Sequence, residues 1–248
     1  MIAGLLLLAL LGVWEAYAQF GAVAPILLPA PSAILTALYD DRALLWSNFT
    51  VTATEIGVGM LIALVLGPAC AVAIHLSRAL RRALYPLLVG SQTIPIVLIA
   101  PLLVAWWGFG VGPKVAIVAL VCFFPIVVPT LDALHRVDPD LRKLMRTFGA
   151  SRWQTFRMVE APAALPGLLT GAKLSVAVAA IGAVLAELAA SDAGLGNLMI
   201  KAIPSFETAR AFAAVLILSV FSVALFGLLA LAERRLLPWA HQPRGTAP

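Results

Sequence analysis

Six apolar runs, roughly 2–19, 52–76, 84–108, 113–134, 165–189 and 211–232, dominate what this chain can fold into. A hydrocarbon core about 30 Å thick takes about 20 helical residues to cross. Lipid offers backbone groups no partners, so such runs are helices whose hydrogen bonds are internal. With 62% of residues hydrophobic and 12% charged, the chain is far outside the range of soluble domains. The expectation is an all-α membrane protein of about six transmembrane helices, one transmembrane domain over 1–248.

Charge sets the orientation. With a cytoplasmic N-terminus and six spans, Arg42, Lys114, Lys201 and Arg210 face outward and the other 13 of the 17 Lys and Arg face inward. That obeys the positive-inside rule and puts both termini in the cytoplasm. The basic excess of +5 is thus a topology device before it is a nucleic-acid signal. The first run has a rival reading, since Ala16-Tyr17-Ala18 resembles a signal-peptide cleavage site. No basic residue precedes it and Glu15 adjoins it, which favours a retained span.

One polar stretch interrupts the pattern at 138–162, between the fourth and fifth runs. Asp138 is placed to cap a short helix with Pro139 in its first turn, and Gly149 supplies the left-handed residue after Phe148. Ser151 and Gln154 then read as the capping box of a second helix. Arg142, Lys143, Arg146, Arg152 and Arg157 stud this cytoplasmic knuckle. It is more elaborate than a turn needs, and reads as a docking surface.

Elsewhere the spans carry local signals. Leu28–Leu45 reads as an interfacial helix capped by Ser32, with no direct role expected. Pro95 and Pro101 loosen the third span, and Ser91, Gln92 and Thr93 put polar groups beside them. These either glue helices or line a solute path. Trp106 and Trp107 mark its outer interface. Pro125 and Pro129 bend the fourth span. The fifth, rich in Gly and Ala from Gly167 to Ala183, is expected to be central or at a subunit contact. Glu187 near its outer end is either gating or solute-facing, or is bonded to nearby backbone. HQPRGTAP is a polar tail.

Several chemistries have no residues to carry them. There is no P-loop, the cysteines Cys70 and Cys122 read as small buried hydrophobes, and His75, His135 and His241 are dispersed without carboxylate or cysteine partners. No catalytic set and no metal-ligand set emerges, and no paired ionisable groups are expected at membrane depth. A transporter with so little buried charge calls for a separate motor engaging the knuckle. A secondary transporter, or the membrane anchor of an enzyme complex, is the alternative.

The knuckle resembles the EAA loop of permease subunits of bacterial ATP-binding-cassette importers. That pattern is a Gly, nine residues, then I-x-L-P. Here Gly149 is followed by nine residues and Val159-Glu160-Ala161-Pro162, with the family's Glu-Ala-Ala replaced by Lys143-Leu144-Met145. LPAPSAI, QTIP, FGASRWQTF, and GLG followed by FETAR resemble the branch importing nitrate, taurine and alkanesulfonates. GPKVAIVALVCFFPIVVPTLDALHRVDP looks like permeases for thiamine-precursor pyrimidines. The resemblance implies an inner-membrane transport subunit that is not an enzyme, working as a homodimer. ATPase subunits, which bind the ATP and Mg, would dock in the cytoplasm, and an extracytoplasmic binding protein would deliver solute. It places a coupling helix at about 150–157, with Phe148, Trp153 and Phe156 as apolar anchors and Arg146 and Arg152 at the rim. Gly149, Ala150, Ser151 and Pro162 complete the ATPase-coupling set. Ser91, Gln92, Thr93 and Glu187 are the candidate pathway lining.

Overall fold

The computed structural model describes residues 2–21 and 23–241; the polar tail from 242 on, with Arg244, lies outside them. The chain runs α1 (Ile2–Phe20), α2 (Pro31–Asp40), α3 (Arg42–Leu76), α4 (Arg78–Ser91), α5 (Ile96–Trp107), α6 (Val111–His135) and α7 (Pro139–Thr147). It continues with α8 (Arg152–Thr155), a π-helical turn (Phe156–Glu160), α9 (Ala161–Ala190), α10 (Leu195–Ala202) and α11 (Thr208–Leu236). No strand occurs among the described residues.

Four helical stretches are long and apolar enough to cross a membrane: α3, α6, α11, and Arg152–Ala189, which runs from α8 into α9. Among the described residues the crossings number five when one bent helix pair is counted as a single span. The expected third span is two helices, α4 and α5, at 102° to each other. The break falls at Gln92–Pro95, where Pro95 is the N-cap of α5 and cannot extend α4. Pro101, by contrast, is absorbed inside α5. In α1 the described apolar stretch Gly4–Phe20 is shorter than these, and its leucines are largely exposed.

The most enclosed helix is α6. Its Val118, Cys122 and Ile126 are fully buried between α3 and α9, Ile117 is buried against α5 and α9, and Val127 against α3 and α4. Small residues make that layering possible. A Cβ on Gly59 of α3 would sit 2.6 Å from Val118 Cβ, and one on Gly171 of α9 would sit 2.5 Å from the Pro125 carbonyl. The glycines of α9 therefore bring it tight against α6, although α6 rather than α9 is the centre. Cys122 is buried in that layer and Cys70 half-buried beside Ala71 and Ile74; both are free thiols.

Ser32 is not the cap of α2. The N-cap is Ala30, with Pro31 opening the helix. The Glu15 carboxylate of α1 instead accepts from the Ser32 N–H at 2.9 Å and from its hydroxyl at 2.6 Å. A side chain 17 residues upstream thus satisfies a donor that helix starts leave open. On the same side, Arg210 of α11 holds Asp41 through two bonds, 2.6 and 2.9 Å, and also pairs with Glu207. The interfacial segment is in this way bolted to the last span.

Candidate functional site

The knuckle forms as its punctuation dictates. Asp138 accepts from the Asp140 N–H at 2.8 Å and Pro139 opens α7. Gly149 adopts φ +75°, a conformation side chains with a Cβ rarely take. Ser151 and Gln154 then exchange the two bonds of a capping box, 2.7 and 3.2 Å. The second helix does not stop before the fifth span. It passes through the π-helical turn into α9, with Pro162 and Pro166 in the first turns of that helix rather than ahead of it. Arg152 to Arg157 is therefore the knuckle end of a rod long and apolar enough to cross a membrane.

The π-helical turn sorts the aromatics. Phe156 turns inward, buried against Leu134 and Ala164, and so anchors the knuckle to the bundle. Trp153 stacks on it at 5.4 Å but is itself exposed, as is Phe148. Leu141, Leu144 and Met158 add exposed apolar area beside them. A protein surface in water rarely keeps so many large apolar groups together without a partner. Arg146 and Arg152 have no acidic partner among the described residues, and with Ala150 they line a cavity of about 210 Å³.

The wall of that cavity holds a feature the sequence reading missed. The buried Glu160 carboxylate receives Arg142 Nε at 2.7 Å on one oxygen and meets His75 Nε2 at 2.8 Å on the other. Arg142 also donates to the Leu134 carbonyl, 2.8 Å. One acid thereby joins the C-terminal ends of α3 and α6, α7 and the start of α9. His75 was expected to stand apart from carboxylates and from the other histidines; it pairs with Glu160 and lies 5.6 Å, ring to ring, from His135. The signal was a lone Glu beside the Pro-led fifth span. Its partners come from 85 and 18 residues upstream, a separation no local pattern reports.

The candidate pathway residues fall in two places. Ser91, Gln92 and Thr93 are exposed at the α4–α5 break. Ser91 and Thr93 hydroxyls bond locally to Leu88 and Gly90 carbonyls, and the Gln92 amide has no partner among the described residues. Glu187 is fully buried, and its hydrogen-bond partners lie on α3 and α10. It accepts from Thr52 Oγ1 at 2.5 Å and from the N–H groups of Gly196 and Asn197 at 2.6 and 3.1 Å. Asn48 and Thr52 of α3 accept from the Gly194 and Leu195 N–H groups at 2.7 and 2.9 Å. The four donors that α10 would otherwise leave open are thus all met.

Beside it, the buried Lys114 pairs with the buried Glu55 and donates to Ser191 Oγ at 2.9 Å. Lys173 and Glu233 form a further pair, 2.5 Å, between α9 and α11. Paired ionisable groups at depth, expected to be absent, are present. Each lies near the end of an apolar run, where composition averages them away. They tie α3 to α6 and α9 to α11.

Residues 56–238 match the family described as "Binding-protein-dependent transport system inner membrane component". The chain belongs to that family. The permease is 35% identical over 236 residues to the formylaminopyrimidine transport permease protein ThiX of Halalkalibacterium halodurans, covering 95% of this chain and 94% of that one. It is 34% identical to the riboflavin transport system permease protein RibX of Chloroflexus aurantiacus, over 94% and 88% of the two chains. It is 30% identical to the putative aliphatic sulfonates transport permease protein SsuC of Bacillus subtilis, over 98% and 89%. The fold matches that of the MetNI methionine ABC transporter in an inward-facing conformation, with TM-score 0.68 at 19% identity over 82% of this chain and 99% of that one. The permease is thus the membrane subunit of an ATP-driven importer, a multi-span transport protein rather than an enzyme. Its partners are an ATPase and a solute-binding protein.

Proposed function

We propose that this permease passes a small heterocyclic solute of the thiamine-precursor pyrimidine class from its binding protein into the cytoplasm, as one half of a homodimer. The likeness to ThiX over nearly the whole chain carries the solute class, with an aliphatic sulfonate or nitrate as the second reading from the same branch. The knuckle accepts the ATPase: Phe148 and Trp153 enter a groove on the motor, Arg146 and Arg152 meet its acidic rim, and Gly149, Ser151 and Pro162 fix the shape. Aromatic and Arg anchors are the residue types that dominate interface energy. ATP and Mg are bound by that partner. Both termini lie in the cytoplasm, in keeping with the basic excess on that side. The apolar faces that α4 and α5 leave exposed, at Leu87, Val97, Leu98 and Leu102, support pairing with a second copy. The exposed Ser91, Gln92 and Thr93 line the path at the break, and Glu187 closes its outer end.

The test is recovery of the tagged permease from its native membrane in mild detergent, with mass spectrometry of what accompanies it. An ATPase and a solute-binding protein are expected. Thermal shift of that binding protein with an aminopyrimidine, riboflavin, taurine and nitrate then names the solute. Stabilisation by taurine or nitrate and not by the pyrimidine overturns the solute class.

A further inference from the structure

The long helices α3 and α9 are joined at both ends, each time by a carboxylate from the α9 rod to a polar side chain of α3. At the cytoplasmic end Glu160, just before α9, holds His75. At the other end Glu187 holds Thr52. His75 and Thr52 lie 23 positions apart on one continuous helix, about 35 Å at the rise of an α-helix. Between them α3 is lodged against α6 at Gly59 and Gly67, where added Cβ atoms would strike Val118 and Ile126. The helix is thus a strut seated along its length.

The knuckle is joined to the fourth and fifth spans by the chain itself, through α6 and α9, and by the packing of Phe156 on Leu134 and Ala164. Nothing in the connectivity joins it to α3, which precedes it by more than 60 residues. Among the described residues only Glu160 does so by side-chain hydrogen bonding, with Arg142 of α7 on its other oxygen. Burying an ion pair is seldom the cheapest way to stabilise a core, since apolar replacements of similar size often do as well. What such a pair supplies is fixed geometry. The His75 bond needs its proton on Nε2 and leaves buried Nδ1 without a partner, so the ring is oriented by Glu160 and by nothing else that hydrogen-bonds it.

We propose that Glu160 is a positioning residue that makes α3 a third output of the knuckle. Displacement of α7 and α8 is passed through Arg142, Glu160 and His75 to α3, and along α3 to the closure that Asn48 and Thr52 make on the start of α10. The outer closure then opens in step with the cytoplasmic motor, instead of following α9 alone. This rests on the docking of an ATPase at the knuckle.

The experiment uses the permease–ATPase complex in nanodiscs, with Cys70→Ala and Cys122→Ala and a reporter Leu198→Cys. Leu198, in the first turn of α10, is half-buried against the cluster of Ile34, Leu45 and Leu195. Its labelling by a membrane-impermeant maleimide is timed without nucleotide and with Mg-ATP and vanadate. In the parent, nucleotide raises the labelling rate roughly tenfold, within the range of site-to-site couplings. In Glu160→Gln and in His75→Leu the rise is lost, although the same amount of ATPase is recovered. His75→Gln, which keeps a donor for Glu160, restores it. Because the His75 pair leaves the Arg142–Glu160 bond intact, it decides the matter even if Glu160→Gln does not fold. An equal nucleotide-driven rise in His75→Leu and His75→Gln overturns the strut and leaves the docking reading standing. Absence of ATPase from the parent preparation overturns both.

Discussion

Glu160 and Glu187 bracket one helix, 27 residues and about 40 Å apart, and both are buried, yet they are held in opposite ways. Glu187 is gripped mainly by backbone. Two N–H groups of α10 and the Thr52 hydroxyl converge on it, and a Cβ on Gly194, at φ +115°, would overlap its carboxyl group. Glu160 is gripped only by side chains, His75 and a partly exposed Arg142, each from a different element. A carboxylate seated in backbone amides is part of a rigid seal. One shared between side chains of separate elements is a joint, since rotamers can follow as the elements shift. The backbone-seated acid lies at the end away from the knuckle, and the shared one at the knuckle, where the motor is proposed to dock.

That contrast ranks the expected losses. Gly194→Val, which combines an unfavourable φ with overlap on a buried acid, is expected to lower stability most, by about 4 kcal/mol or more. Thermal unfolding in detergent measures it, and a tolerated valine would show that the seal is looser than its geometry. Glu187→Ala leaves the Gly196 and Asn197 amides and the Thr52 hydroxyl without their acceptor, and should cost about 3 kcal/mol by the same measurement. Glu160→Ala should cost less, about 2 kcal/mol, because Arg142 can turn to water once released. A larger loss at 160 than at 187 would invert the comparison. Trp153→Asp, on an exposed face, should change unfolding by less than about 0.5 kcal/mol. Its effect is on ATP-driven uptake into proteoliposomes, a fall of roughly tenfold or more as a docking anchor is removed. Undiminished uptake would remove Trp153 from the docking face.

The knuckle shows where sequence suffices. Asp138, Gly149, Ser151 and Gln154 act on neighbours within a few residues, so their roles are written in the order of the chain. The apolar runs are legible for the same reason, because a membrane span is a local property of composition. The break at Pro95 is half legible. Proline marks a weak point, but whether a helix continues, as through Pro101, or parts, as before Pro95, depends on what packs beside it. Ser32 illustrates the converse error. Its position suited a local cap, yet its partner is Glu15, brought over by the turn between α1 and α2.

Composition, capping residues and charge are enough to require a helical membrane protein with a structured polar knuckle and a strongly basic side. Periodicity, capping and hydrophobic length all act over one or two turns, and a resemblance in the knuckle's spacing pointed to the transport family that the chain belongs to. Packing between distant segments, in contrast, makes α6 the buried centre, turns Phe156 in while Phe148 and Trp153 face out, and lets Glu160 and Glu187 tie α9 to α3 at both ends. Those contacts join residues 85 and 135 positions apart. An isolated Glu, Thr or His carries no mark of its partner, and the pairing exists only once packing has brought the helices together and left each buried charge a single place to be satisfied.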